Sequence, residues 1–187
     1  MKMLSLALAA FAAATVASNA QVRVTEYSHK GLFGEYFEVA YLGATGTTQD
    51  LTGWKFNDNS GTASTGIALP AVILNPNQTV IVTEISAGLF EQAWYGERGV
   101  SAPASLVDYV ENNQRNLGKT DEIRIFNAGG TQVDTVSITS ALDTEDAPAV
   151  LNAARTSFVF ASTVAGQFKA GAPAGNGPTG SPGIVAP

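Results

Sequence analysis

From residue 21 onward the chain is a series of short runs in which apolar and polar residues alternate, with turn-forming residues between them. That period of two belongs to β-strands with one face buried. Gln21–Tyr27 sets Val22 and Val24 against Arg23 and Thr25. Glu35–Leu42 sets Phe37, Val39 and Tyr41 against Tyr36, Glu38 and Ala40. Gly53–Asn57 flanks Lys55 with Trp54 and Phe56, and Gln78–Thr83 is rich in β-branched residues. Glu122–Asn127 alternates around Ile123 and Ile125, Gln132–Ile138 carries Val133 and Val136, and Thr156–Ala161 completes the set. Asn127-Ala128-Gly129-Gly130 reads as a tight hairpin, Asn57–Gly61 as a loop, and Asn75-Pro76-Asn77 as a turn with Pro at a favoured position. About seven strands joined this way predict an immunoglobulin-like antiparallel β-sandwich.

One segment breaks the pattern. Ser86 is a good N-cap for a short helix over Ala87–Tyr95, in which Phe90 and Trp94 share a face and Leu89 widens the apolar stripe. The expected role of this helix is a lid over one open end of the sandwich. Gly99–Gly118, containing Pro103, Asn112 and Asn113, reads as a long irregular connection and so as a candidate binding loop. Lys169–Pro187 is rich in Gly, Pro and Ala, almost uncharged, and reads as a flexible or partly extended tail, with local pinning left open.

The first twenty residues follow another logic. Lys2 gives a positive start, Leu4–Val16 is apolar, and Ser18-Asn19-Ala20 places small residues before a cleavage point at Gln21. This is the pattern of a secretory signal peptide, of bacterial character. The apolar run is shorter than the roughly 18–20 residues that span a bilayer. The expected layout is therefore a signal peptide over 1–20, a sandwich domain over 21–168 and the tail over 169–187, in a protein that is secreted or periplasmic.

Export gives the composition its meaning. The 187 residues include no Cys, so disulfides and thiolate metal sites are excluded. Ten basic residues against sixteen acidic ones give a net charge of −6, which becomes −7 once Lys2 is removed. An acidic chain whose Arg98, Arg115, Lys119 and Arg124 are scattered among acids is a poor ligand for nucleic acid. No Gly-rich phosphate loop is present.

Candidate chemistry is sparse. Trp54 beside Gly53 has the look of a sugar-stacking platform, but a strand tryptophan is expected in the core of a sandwich. Glu35 and Glu38 are a carboxylate pair on paper; on a strand, residues three apart point to opposite faces, and Glu38 is expected to solvate the surface. His29 lacks a nucleophile elbow to serve and is expected to be exposed. Asp50, Asp58 and the run Asp143-Thr144-Glu145-Asp146 are hard oxygen donors for Ca²⁺ without the spacing of an EF-hand. No catalytic or cofactor-binding residue is assigned, and the ligands of any metal are unknown.

The order of motifs across Val22–Ile138 resembles the lamin-tail domain family, including its secreted bacterial members. The resemblance rests on Val24-Thr25-Glu26, on Glu35-Tyr36-Phe37-Glu38-Val39 and, most distinctively, on Asp50-Leu51-Thr52-Gly53-Trp54-Lys55-Phe56-Asn57-Asp58. It continues through Leu74-Asn75-Pro76-Asn77-Gln78, where Asn77 stands in place of the usual Gly, and through Leu117–Phe126. Gly130-Thr131-Gln132-Val133-Asp134-Thr135-Val136 matches the Gly-x-x-Val-Asp-x-Val end, and Ser181-Pro182-Gly183 resembles a Pro-Gly that trails secreted copies. The resemblance implies an immunoglobulin-like sandwich and no activity. The expected function is an exported, non-enzymatic binding or structural module at the cell surface, in the periplasm or in the extracellular matrix. Its partner would be a protein or glycan, met by Gly99–Gly118, the helix or an exposed strand edge. A calcium-assisted carbohydrate-binding module is the alternative reading, and a hydrolase with an unrecognised site the third.

Overall fold

The computed structural model describes residues 21–30, 34–59, 61–112, 114–142, 148–161, 168–169 and 179–185. The expected signal peptide and the acidic run 143–146 lie outside them. The first strands are β1 (Val22–Ser28), β2 (Tyr36–Tyr41), β3 (Gln49–Asp50), β4 (Lys55–Asn57), β5 (Ile67–Ala68), β6 (Ile73–Leu74) and β7 (Thr79–Thr83). The single α-helix among the described residues, α1, spans Ala87–Trp94. After it come β8 (Leu106–Glu111), β9 (Glu122–Phe126), β10 (Gln132–Ser137), β11 (Ala149–Leu151), β12 (Phe158–Phe160), β13 (Phe168–Lys169) and β14 (Thr179–Gly180). The seven anticipated strands are β1, β2, β4, β7, β9, β10 and β12; the others extend or connect them.

A six-stranded sheet in the order β12-β11-β1-β2-β7-β8 faces a four-stranded sheet in the order β10-β9-β4-β5. The core between them takes Val24, Phe37, Val39 and Val82 from the larger sheet and Phe56, Ile123, Ile125 and Val136 from the smaller. Phe37 and Phe56 meet edge to face across the gap, ring centroids 5.0 Å apart. Aromatic contacts of this geometry add directional preference to simple burial of apolar area. The molecule is thus mainly β, an immunoglobulin-like sandwich with one short helix.

One pairing is not antiparallel. β7 and β8 run parallel, Val80 opposite Asp108 and Val82 opposite Val110. Parallel neighbours need a crossover, and α1 is that crossover. The connection expected to be irregular over Gly99–Gly118 therefore contains an edge strand. The helix also differs in place from a lid over an open end: it lies on the outer face of the large sheet. Tyr36 of β2 and Ile81 of β7 point outward there and pack with Phe90, Ala93, Trp94 and Tyr95 in a second core. Tyr36 lies 5.2 Å from Phe90 and 5.5 Å from Trp94, centroid to centroid, in edge-on contacts. Ser86 caps the helix by accepting the Leu89 amide. The contact stripe is Phe90, Ala93 and Trp94, and Leu89, lying off it, is 62% exposed rather than part of it.

β1 carries an irregularity that sets up the site described next. Val24 pairs with Val39, and the following pair is Glu26 with Glu38, so Thr25 is an inserted residue. Such a bulge shifts the alternation by one. Val24 and Tyr27 consequently both join the inter-sheet core, while Glu26 is placed beside Glu38.

Candidate functional site

Glu26 and Glu38 are each 1% exposed. The expectation that Glu38 solvates the surface is overturned, because the outer face of β2 is covered by protein. The cover over this part is the chain's own C-terminus. Within the segment expected to be a flexible tail, β14 pairs with β13, and Ser181 and Gly183 reach the two carboxylates. The Ser181 amide donates to both oxygens of Glu26, at 3.1 and 2.9 Å, and the Ser181 hydroxyl donates to Oε2 at 2.9 Å. The Tyr36 hydroxyl donates to Glu26 Oε1. Glu38 accepts the Gly183 amide on Oε2 and the Thr25 hydroxyl on Oε1, each at 2.5 Å.

A buried carboxylate is tolerated only when its oxygens are hydrogen-bonded, and its charged form is disfavoured by loss of water. Burial pushes both carboxyls above the ordinary range. The charge of Glu26 pushes Glu38 further, and the donors Tyr36 and Ser181 pull Glu26 part of the way back. No Lys, Arg or His is among the groups that shift either one. The pair is held by dipoles alone, which favours keeping a proton at neutral pH.

The C-terminal segment has the sequence such a site requires. Ile184 N donates to Ser181 O at 2.8 Å, closing a turn with Pro182 at its second position and Gly183, at φ +83°, at its third. That is the residue pattern of a type II turn. A side chain at Gly183 would be strained by φ, and its Cβ would lie 3.0 Å from Leu106 Cβ and Pro103 Cγ. Gly180 is also confined, since a Cβ there would lie 2.6 Å from Glu26 Oε1 and 2.9 Å from Trp94 Cη2. Gly183→Ala is expected to cost about 2 kcal/mol in urea unfolding, from left-handed backbone strain and overpacking together. An unchanged midpoint would show that the turn contributes nothing to stability.

Beside this buried site the surface is concave. A cavity of about 410 Å³ is bounded by Glu91, Gln92 and Tyr95 of the helical segment and by Gly96, Val100 and Ser101 beyond it. The chain turns here because Gly99, at φ +67°, takes the left-handed conformation that ends helices and donates to Gly96 O. Val100 is left exposed. Tyr95 joins the groove to the buried pair: it borders the groove, and its hydroxyl donates to Pro182 O at 2.6 Å. Ser105 donates to Gly183 O, tying the strand-entry loop to the same turn.

The other sequence candidates are dispersed. Glu35 does not meet Glu38; it is half-buried, accepts the Leu117 amide at 2.6 Å, and is pushed up to about 7, chiefly by burial. Trp54 is 8% exposed and belongs to the inter-sheet core. His29 is buried at 3% rather than exposed, where the Ser28 hydroxyl bonds to Lys30 O and folds the chain over after β1. Asp50 accepts the Thr52 amide at 2.8 Å in an Asx-turn, and Asp58 lies 3.8 Å from Arg115. Among the described residues no three His, Asp or Glu side chains are grouped to hold a metal ion. Nor, among them, is any helix long and apolar enough to cross a membrane.

Asp134 was not singled out by its chemistry, yet it bridges the two sheets. It accepts Arg23 Nε at 3.0 Å and the Val24 amide at 2.8 Å, next to the bulge in β1. Burial raises its pKa against the pull of those two donors. Its signal in the sequence was the Val-Asp-x-Val step at Val133–Val136.

No curated protein matches the chain. The family model described as Lamin Tail Domain matches residues 15–140, about two-thirds of the length, and ends before β11, β12 and the C-terminal turn. With most strands of its sandwich, its Leu-Thr-Gly-Trp core stretch and its Val-Asp-x-Val bridge in place within that span, the chain belongs to the Lamin Tail Domain family.

Proposed function

We propose that this protein is an exported, non-enzymatic module that binds a protein or glycan of the cell envelope or matrix in the groove between α1 and Val100–Ala102. The observation that carries the reading is the groove itself. It is concave, built on a helix packed against a sheet, lined by polar side chains and bordered by one exposed apolar residue, Val100. Binding sites favour such a mixture on a rigid support. The buried glutamates offer no competing chemistry, because their donors come from the chain itself and neither lines the groove.

The test is capture on immobilised chain 21–187 from envelope and culture-medium fractions, with Val100→Glu and Gln92→Arg variants run beside it. Both positions are exposed, so both variants are expected to fold normally. The expected result is a species retained by the native chain, with or without chelator, and lost by both variants. Retention unchanged in the variants, or no retention at all, sinks the groove as the binding site. Export is tested separately by expressing the chain with its leader in a bacterial host. The recovered protein should begin at Gln21.

A further inference from the structure

We propose that the Glu26–Glu38 pair is a recognition site for a Ser-Pro-Gly turn, and that the C-terminal Thr179–Val185 is its ligand rather than merely the end of the fold. The contacts are those of a peptide bound in a receptor. Two carboxylates, side by side on β1 and β2, accept two amides and one hydroxyl from a single turn 155 residues away from Glu26. Each residue of the turn answers to a feature of the site. Ser181 supplies both an amide and a hydroxyl to Glu26. Pro182 has no N–H, so the donors at 181 and 183 are not interrupted by a third that would be buried without an acceptor. Its carbonyl takes the Tyr95 hydroxyl. Gly183 alone fits the left-handed conformation beneath Leu106 and Pro103 while giving its amide to Glu38. Gly180 admits no side chain against Glu26 and Trp94.

The site is also chemically selective. Carboxylates cannot donate when ionised, and a single retained proton still leaves oxygens that accept. The walls are uncharged: Tyr36, Tyr95, Thr25 and Trp94. A turn that brought a carboxylate would set a third acidic group against the two already buried there, which like charge disfavours, and the resident turn brings no charged side chain. The chain contains one Pro-Gly step, at 182–183. The ligand class is therefore a neutral Ser-Pro-Gly turn, supplied in cis.

A site of this kind accepts the same turn from solution once its own is prevented from seating. The experiment uses the full chain carrying Gly183→Val, which keeps both glutamates and blocks the resident turn. A fluorescently labelled peptide, Pro178–Pro187, is titrated against it and followed by anisotropy. Saturable one-to-one binding is expected, weakened about tenfold or more by Ser181→Ala or by Pro182→Ala in the peptide, and abolished by Gly183→Val in the peptide. If the variant chain is unfolded alone, the same titration is read by circular dichroism, and the native peptide is expected to restore the β-sheet signal. Native and Gly183→Val peptides behaving alike, in binding or in refolding, would overturn the proposal. The test is independent of the groove, since neither glutamate and no residue of the turn lines it.

Discussion

Raising the pH from 5 to 8 is expected to destabilise the fold, by on the order of 2–4 kcal/mol. Carboxylates more often do the opposite, because most are stabilised in their charged form by cations or amides. Here Glu26 and Glu38 have folded pKa values above the ordinary 4.5. Between that value and the raised ones, the folded chain keeps protons that the unfolded chain has already released. Stability then falls with rising pH, since the native state is the one binding more protons. The contribution is complete below about pH 4.5 and is lost as the pH climbs through the raised pKa values. Glu35, at about 7, acts in the same direction with less weight because it is only half-buried and water screens it. Asp134 is also raised by burial, against the pull of the Val24 amide and of Arg23. Urea unfolding followed by tryptophan fluorescence at pH 5, 6, 7 and 8 measures the slope. A flat or rising profile would mean that the pair is ionised in the folded chain. Glu38→Gln is expected to remove the share of the slope that Glu38 itself contributes and to leave that of Glu26, whose shift comes from burial rather than from its neighbour.

The same pair shows where reading the sequence stops. Alternation found β2 and β9, which repeat an apolar residue at every second position, and β1 and β10 in part, since a bulge breaks the period in each. It did not find β3, β5 or β6, each two residues long, since two residues carry no period. β8 was hidden for another reason. No residue of Leu106–Glu111 is fully buried and Val107 and Glu111 are exposed, as befits an edge strand, and its parallel pairing follows from α1 rather than from any turn. Glu38 was misread because alternation equates a polar residue with solvent. On β2 all six residues are buried, since α1 and the C-terminal turn supply a second covered face. The signals for that cover were Trp94 and a Pro-Gly step, both distant in sequence from the residues they bury. Asn77 was legible in a subtler way. It stands where the family favours Gly and adopts φ 65°, in a turn closed by Gln78 N to Asn75 O. Asn is among the few residues that reach that region at small cost.

Replacing Trp54 with Ala is expected to cost about 3–5 kcal/mol, the range for emptying a buried large aromatic site. Trp54 stands before β4, in the most distinctive stretch of the sequence, and two roles were open to it: sugar platform or core. Its surroundings favour the second. It shares the inter-sheet cluster with Leu51, Phe56 and Leu69, and its backbone is tied at both ends, its amide to Leu51 O and its carbonyl to the Leu69 amide, each at 2.9 Å. Gly53, at φ +78°, lets the chain turn into this position; a Cβ there would lie 3.2 Å from Ala128. A cavity left at Trp54 cannot close easily, because Phe56 is fixed in β4 by its pairing with Ile125 and the Leu51 backbone is held by its amide bond to Val72 O. The loss is measured as a shift in urea midpoint with little change in slope. Groove-dependent capture should persist at temperatures where the variant remains folded, since Val100 and Gln92 lie in the other core's neighbourhood. Were stability to change by less than about 1 kcal/mol while capture disappeared, Trp54 would be the binding surface and the groove would not.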